Sequence, residues 1–148
     1  MRARRQTLVL LAVAFASVDL THKLVAHADY HHVRSPYVAF AMVAVIIGVV
    51  TFVPRLPSRA ALLGAAVAVG GALGNLCSLF IWGGQGVPDP LVVQGATTGL
   101  AFNLADVFAV VGDILMIVAV TVHGLRRQTA GAAGGGSRNN VAIRKTMT

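Results

Sequence analysis

Residues Ala60–Trp82 read AALLGAAVAVGGALGNLCSLFIW, a run without a charged side chain. A helix that crosses a bilayer needs about 20 consecutive apolar residues, and this run is long enough. Its apolar residues form one block instead of recurring at a helical or strand period, as expected of a segment facing lipid. Backbone groups in hydrocarbon must bond within their own segment, so the block is read as a helix. Pro54 and Pro57 mark a short turn before it, preceded in the chain by a first block at about Thr7–Val25 and a second at about Tyr37–Val53, which makes Ala60–Trp82 the third. Beyond Trp82 a fourth block occupies about Leu100–Val122. The expectation is an all-α membrane protein with four transmembrane helices within residues 1–128. A Gly-rich polar tail without fixed structure is expected over residues 129–148.

The composition agrees. Of 148 residues, 56% are hydrophobic and 11% charged, and Glu is absent; soluble domains have roughly a quarter of their residues charged. The net charge of +7 would suit nucleic acid, but the basic residues lie between and beyond the apolar blocks, where anionic lipid headgroups meet them. No nucleic-acid partner is expected. Arg2, Arg4 and Arg5 precede the first block, Arg55 and Arg59 lie between the second and third, and Arg126, Arg127, Arg138, Arg144 and Lys145 follow the fourth. Ten of the twelve basic residues thus share one side, which the positive-inside rule makes cytoplasmic, placing both termini there. Lys23 and Arg34 are the two exceptions. A rival reading takes Arg2–Arg5, the apolar run and Ala14-Phe15-Ala16 as a cleavable secretory signal, but the run continues past that site. The single Cys77 excludes an intrachain disulfide.

Charged groups inside a span are costly and point to function. Asp19, His22 and Lys23 lie late in the first span, Asn75 late in the third, and Asn103, Asp106 and Asp113 in the fourth. With the first and third spans running outward and the fourth inward, Asp19, Lys23, Asn75, Asn103 and Asp106 fall at one depth near the outer surface. Asp106 would lie about 9 Å below the outer end of its span, and Asp113 about 10 Å deeper on the same face. Asp89, between Pro88 and Pro90, belongs to the outer loop. His27, His31 and His32 in the first outer loop have no carboxylate at a recognisable ligand spacing and are expected to be solvated. Neither metal nor cofactor is expected. Two aspartates brought together hold one shared proton; one can activate water while the other protonates a scissile carbonyl, the chemistry of an aspartic peptidase.

Gly70-Gly71-Ala72-Leu73-Gly74-Asn75-Leu76, with Phe102-Asn103-Leu104-Ala105-Asp106 after it, resembles signal peptidase II, the bacterial lipoprotein signal peptidase family. Asp19-Leu20-Thr21-His22-Lys23 is similar to the family's Asp-x-x-x-Lys motif. The resemblance implies four transmembrane helices in the bacterial plasma membrane. The implied substrate is a diacylglyceryl-modified prolipoprotein cut just before its lipidated cysteine, with membrane lipid as the other partner. It places the catalytic pair on Asp89 and Asp106, with Asp19, Lys23, Asn75 and Asn103 in support. Gly71 and Gly74 are expected to allow close helix approach. Two features depart from the pattern. The family's Asp-Arg pair, one turn beyond the Asn, is replaced by Ser78-Leu79, and the first outer loop is cut to about Ala26–Pro36. These departures leave a non-catalytic homologue that binds lipoproteins or another membrane protein as the alternative; a small proton or ion carrier using Asp19, Asp106 and Asp113 is a third reading.

Overall fold

The computed structural model describes the backbone of residues 1–95 and 99–145, and the side chains of the same residues up to 129. Among the described residues, four helices are long and apolar enough to cross a membrane. They are α1 (Arg2–Val25), α2 (Pro36–Phe52), α3 (Arg59–Trp82) and α4 (Leu104–Lys145). Of the polar tail expected over residues 129–148, the side chains after Thr129 lie outside the described set, and its last three residues lie outside it altogether.

Helix ends follow local chemistry. Ser35 precedes Pro36 at the start of α2, and its Oγ accepts the Tyr37 N–H at 3.2 Å; Pro at the first helical position gives up a donor that has no partner there. Ser58 caps α3 by accepting the Ala61 N–H at 3.1 Å. Arg4 of α1 donates to the Ser58 and Pro57 carbonyls at 2.8 and 3.4 Å, tying α1 to the turn between α2 and α3.

The fourth helix corrects the sequence reading. Residues Gly99–Phe102 are not helical: they form strand β4, paired antiparallel with β3 (Leu91–Gln94), so that Leu91 faces Phe102 and Gln94 faces Gly99. The helix begins only at Leu104. The reason is a reciprocal cap. Asn103 Oδ1 accepts the Asp106 N–H at 3.2 Å, while Asp106 Oδ2 accepts the Asn103 N–H at 3.3 Å, the geometry of a capping box. Asp106 therefore sits in the first turn of α4, not nearly two turns down a helix begun at Leu100. Two further strands, β1 (His31–His32) and β2 (Val87–Pro88), pair antiparallel and join the two loops at this end of the bundle.

α3 is the central helix. Its buried face is made largely of small residues, among them Ala61, Gly64, Ala65, Ala66, Gly70, Gly71 and Gly74, which let neighbouring backbones come close. A Cβ on Gly71 would land on the Ala105 carbonyl oxygen of α4, and one on Gly70 would meet Phe15 of α1. Phe15 and Phe108 meet edge to face, 5.1 Å between centroids. α1 buries Leu8, Ala12, Ala16, Asp19 and Lys23, a stripe at helical spacing. Leu8 and Ala12, which precede Ala14-Phe15-Ala16, belong to the same core cluster as Leu62, Ala65, Ala66 and Val69 of α3, so the stretch that imitates a secretory signal is part of the bundle. α2 buries none of its residues. Large side chains such as Leu10, Phe40, Ile47, Phe80 and Ile117 are more than half exposed, a distribution suited to lipid and not to water.

Gly71→Leu should destabilise the protein by at least about 1–3 kcal/mol, the usual cost of overpacking, read as a lower melting temperature in detergent. Gly48→Ala, on α2 with nothing within 4 Å of the added carbon, should leave it unchanged or slightly raised.

Candidate active site

The carboxylate of Asp19 is the first fixed point. It is fully buried, and its Oδ2 takes a 2.7 Å bond from Lys23 one turn later on α1. Its Oδ1 accepts the Ala105 N–H at 2.7 Å, one of the helix-start donors that α4 cannot satisfy internally. Gly74 on α3 makes this approach possible, since a Cβ there would lie 2.6 Å from Asp19 Oδ2. Lys23 spends its other donors on Asn75 Oδ1 and Ser78 Oγ, both at 3.0 Å. Ser78 in turn donates to the Gly74 carbonyl at 2.7 Å. One ion pair thus ties α1, α3 and the start of α4 together.

Asn75 carries the network on to Asp106. Its Nδ2 donates to Asp106 Oδ1 at 2.8 Å. The same oxygen receives Arg34 Nη2 at 3.2 Å, while among the described residues Oδ2 receives only the Asn103 backbone N–H, at 3.3 Å. Asp106 stands at a helix N-terminus, where the backbone dipoles favour negative charge.

Asp89 approaches from the other side. Gly86, at φ +89, turns the chain into β2 and lies against the His32 backbone, 3.0 Å from where a Cβ would sit; an L side chain would be strained there. The β1–β2 pairing and a 2.9 Å bond from the Asp89 N–H to the Tyr30 carbonyl then bring Asp89 inward. It is 2% exposed. Asn103 Nδ2 donates to Asp89 Oδ1 at 2.6 Å, and His32 Nδ1 lies 3.4 Å from Oδ2. Asn103 therefore touches both aspartates, one through its side-chain amide and the other through the cap. This is the decisive piece of geometry: two aspartates from separate segments converge on one asparagine, inside a bundle of membrane-length helices.

The family model of signal peptidase (SPase) II matches residues 25–122. The chain belongs to the signal peptidase II family. It is 33% identical to a lipoprotein signal peptidase of Rhodococcus jostii (strain RHA1), over 82% of this chain and 75% of that one. Two solved structures described as a bacterial membrane enzyme, determined by the in meso method at 1.9 and 2.3 Å, share its fold. Each has a TM-score of 0.62 at 19% identity, covering 78% of this chain and 92% and 88% of theirs. Signal peptidase II is a membrane-bound protease family, and its match takes in Asn75, Asp89, Asn103 and Asp106 but not Asp19 and Lys23, which precede residue 25.

The structure brings Asp19, Lys23, Asn75, Asn103, Asp89 and Asp106 into one connected hydrogen-bond network. Asp113 does not join it: it is exposed at the edge of an apolar groove of about 310 Å³ between α2, α3 and α4, without a hydrogen bond among the described residues. A relay from Asp19 through Asp106 to Asp113 therefore breaks after Asp106. The loop histidines are exposed, as expected. His27 pairs with Asp29 at 3.1 Å in solvent, and His32, although largely exposed, also sits against Asp89. His32, Arg34 and Ser78 are site residues that the motifs passed over. A signal was present for Arg34: it and Lys23 are the two basic residues that break the charge bias, and both end up in the site.

Removing one member of the buried pair leaves a lone charge. Lys23→Met should cost about 3–5 kcal/mol, measured by unfolding in mixed detergent. The Asp19→Asn, Lys23→Met double variant should recover part of that loss.

Proposed function

We propose that this chain is an aspartic endopeptidase of the plasma membrane that removes signal peptides from diacylglyceryl-modified prolipoproteins, cutting before the lipidated cysteine. Its family and its lipoprotein signal peptidase relative support the activity. The observation that carries the site assignment is Asn103 holding Asp89 and Asp106 at once. Asp106, with donors from Arg34, Asn75 and the Asn103 backbone, has the surroundings of a charged carboxylate and acts as the base. Asp89, buried with one short bond from Asn103, carries the shared proton.

Water attacks the scissile carbonyl as Asp106 takes its proton, and Asp89 protonates the carbonyl oxygen. The tetrahedral intermediate, a gem-diol, then collapses: one hydroxyl returns its proton to Asp89 as the carbonyl re-forms, the carbon–nitrogen bond breaks, and the departing nitrogen takes up the proton held by Asp106, which restores both carboxyl groups. Asp19 and Lys23 hold the start of α4, and Asn75 and Asn103 orient the carboxylates. No metal or other cofactor takes part in this scheme. The substrate, anchored by its own lipid, arrives sideways from the bilayer.

The basic residues at the end of the bundle remote from Asp106 support an orientation with both termini in the cytoplasm and the site at the outer face. External thiol labelling of intact cells should reach an Asp29→Cys variant and miss Ser58→Cys. Labelling of Ser58→Cys from outside would invert the topology.

Asp89→Asn and Asp106→Asn should each lower cleavage of a lipidated prolipoprotein by at least about a hundredfold, with the protein folded and inserted. Asp113→Asn should stay close to wild type. Wild-type protein no more active than Asp106→Asn at every substrate concentration would instead favour a homologue that binds lipoproteins without cutting them.

A further inference from the structure

We infer that Arg34, from the first outer loop, is a positioning residue for the catalytic Asp106 and the cation this active site depends on. The inference rests on the peptidase reading above and adds a residue to it.

The bonding around Asp106 is unequal. Oδ1 is held by two side-chain donors, Arg34 Nη2 at 3.2 Å and Asn75 Nδ2 at 2.8 Å. Oδ2 receives a single long bond, 3.3 Å from the Asn103 backbone. A base needs one oxygen fixed and the other free to take a proton, and this arrangement leaves Oδ2 for water. With Arg34 removed, Oδ1 keeps one side-chain donor and the carboxylate gains rotational freedom.

Among the described residues, no other cation is available for the task. Lys23 is within electrostatic reach of Asp106 and Asp89, but its ammonium is committed to Asp19, Asn75 and Ser78. The turn of α3 beyond Asn75 presents Ser78 and Leu79, neither of them charged. His32, from the same loop, lies against Asp89 instead. Among the described residues, Arg34 is the one basic side chain in contact with Asp106.

The backbone on both sides of Arg34 is fixed. Two residues before it, His32 is paired with Val87 in the β1–β2 ladder; two residues after it, Pro36 opens α2 behind the Ser35 cap. This short span aims the guanidinium without the long loop that a larger cradle would need.

The test compares wild type with Arg34→Ala, Arg34→Gln and Arg34→Lys in cleavage of a lipidated prolipoprotein across substrate concentrations, with Asp106→Asn as blank. Melting temperature serves as the check on folding. Arg34→Ala and Arg34→Gln should lose about a hundredfold in kcat, the scale of a misplaced catalytic group, with KM little changed. Arg34→Lys should recover much of that loss. Wild-type kcat in Arg34→Ala, a loss confined to KM, or Arg34→Lys no better than Arg34→Ala would each overturn the inference. If wild type cleaves and these variants match it, only Arg34 is in error; if wild type equals the blank, the peptidase reading fails and takes the inference with it.

Discussion

A helix that begins inside a packed bundle leaves its first N–H groups without water and without intrahelical acceptors, and α4 begins in this way. Asn103 supplies acceptors for the Asp106 and Val107 N–H groups, and Asp19 reaches across from α1 for Ala105. The remaining polar architecture follows from that need. A buried carboxylate at Asp19 requires a counter-charge, which Lys23 provides. Lys23 in turn requires acceptors, which Asn75 and Ser78 provide. Asn75, held by its oxygen, has its amide nitrogen turned toward Asp106. The group proposed for catalysis is thus the far end of a chain of bonds that starts as a structural necessity, which is why the fold and the site are hard to separate by mutation.

The same economy explains how so short a first loop serves the site. A two-residue strand pairs with the segment leading to Asp89, and the loop then delivers one basic side chain toward each aspartate, His32 to Asp89 and Arg34 to Asp106. The replacement at Ser78-Leu79 leaves no orphan charge. The Ser78 hydroxyl accepts from Lys23 and donates to Gly74, so a small neutral group fits where a carboxylate would have needed its own partner.

Much of this was legible in the sequence, for identifiable reasons. Block hydrophobicity marks spans because lipid enforces it, and all four were found. The convergence of Asp19, Lys23, Asn75, Asn103 and Asp106 followed from charges that hydrocarbon does not tolerate unpaired. The start of α4 was misread because Leu100, Ala101 and Phe102 are apolar, and hydropathy alone does not tell a strand over the bundle end from the first turn of a helix. The Asn103–Asp106 spacing was the overlooked sign, since a capping box marks a helix start in any solvent. The roles of His32 and Arg34 were hidden because their contacts depend on the β1–β2 register, set by Gly86 and not by any periodicity near residue 32.

α2 buries no residue, yet it begins two residues after Arg34. With the turn that continues it, its apolar span runs over Pro36–Arg55, 20 residues, about 30 Å at helical rise and close to a typical hydrocarbon layer. Only Ile46, Val49 and Val50, among its described side chains, pack against the core cluster, so most of its surface meets the lipid, which shares with that contact in setting its height. On the role proposed for Arg34, the reach of its guanidinium toward Asp106 then depends in part on bilayer thickness, so that the membrane acts as a mechanical component of the proposed site as well as its solvent.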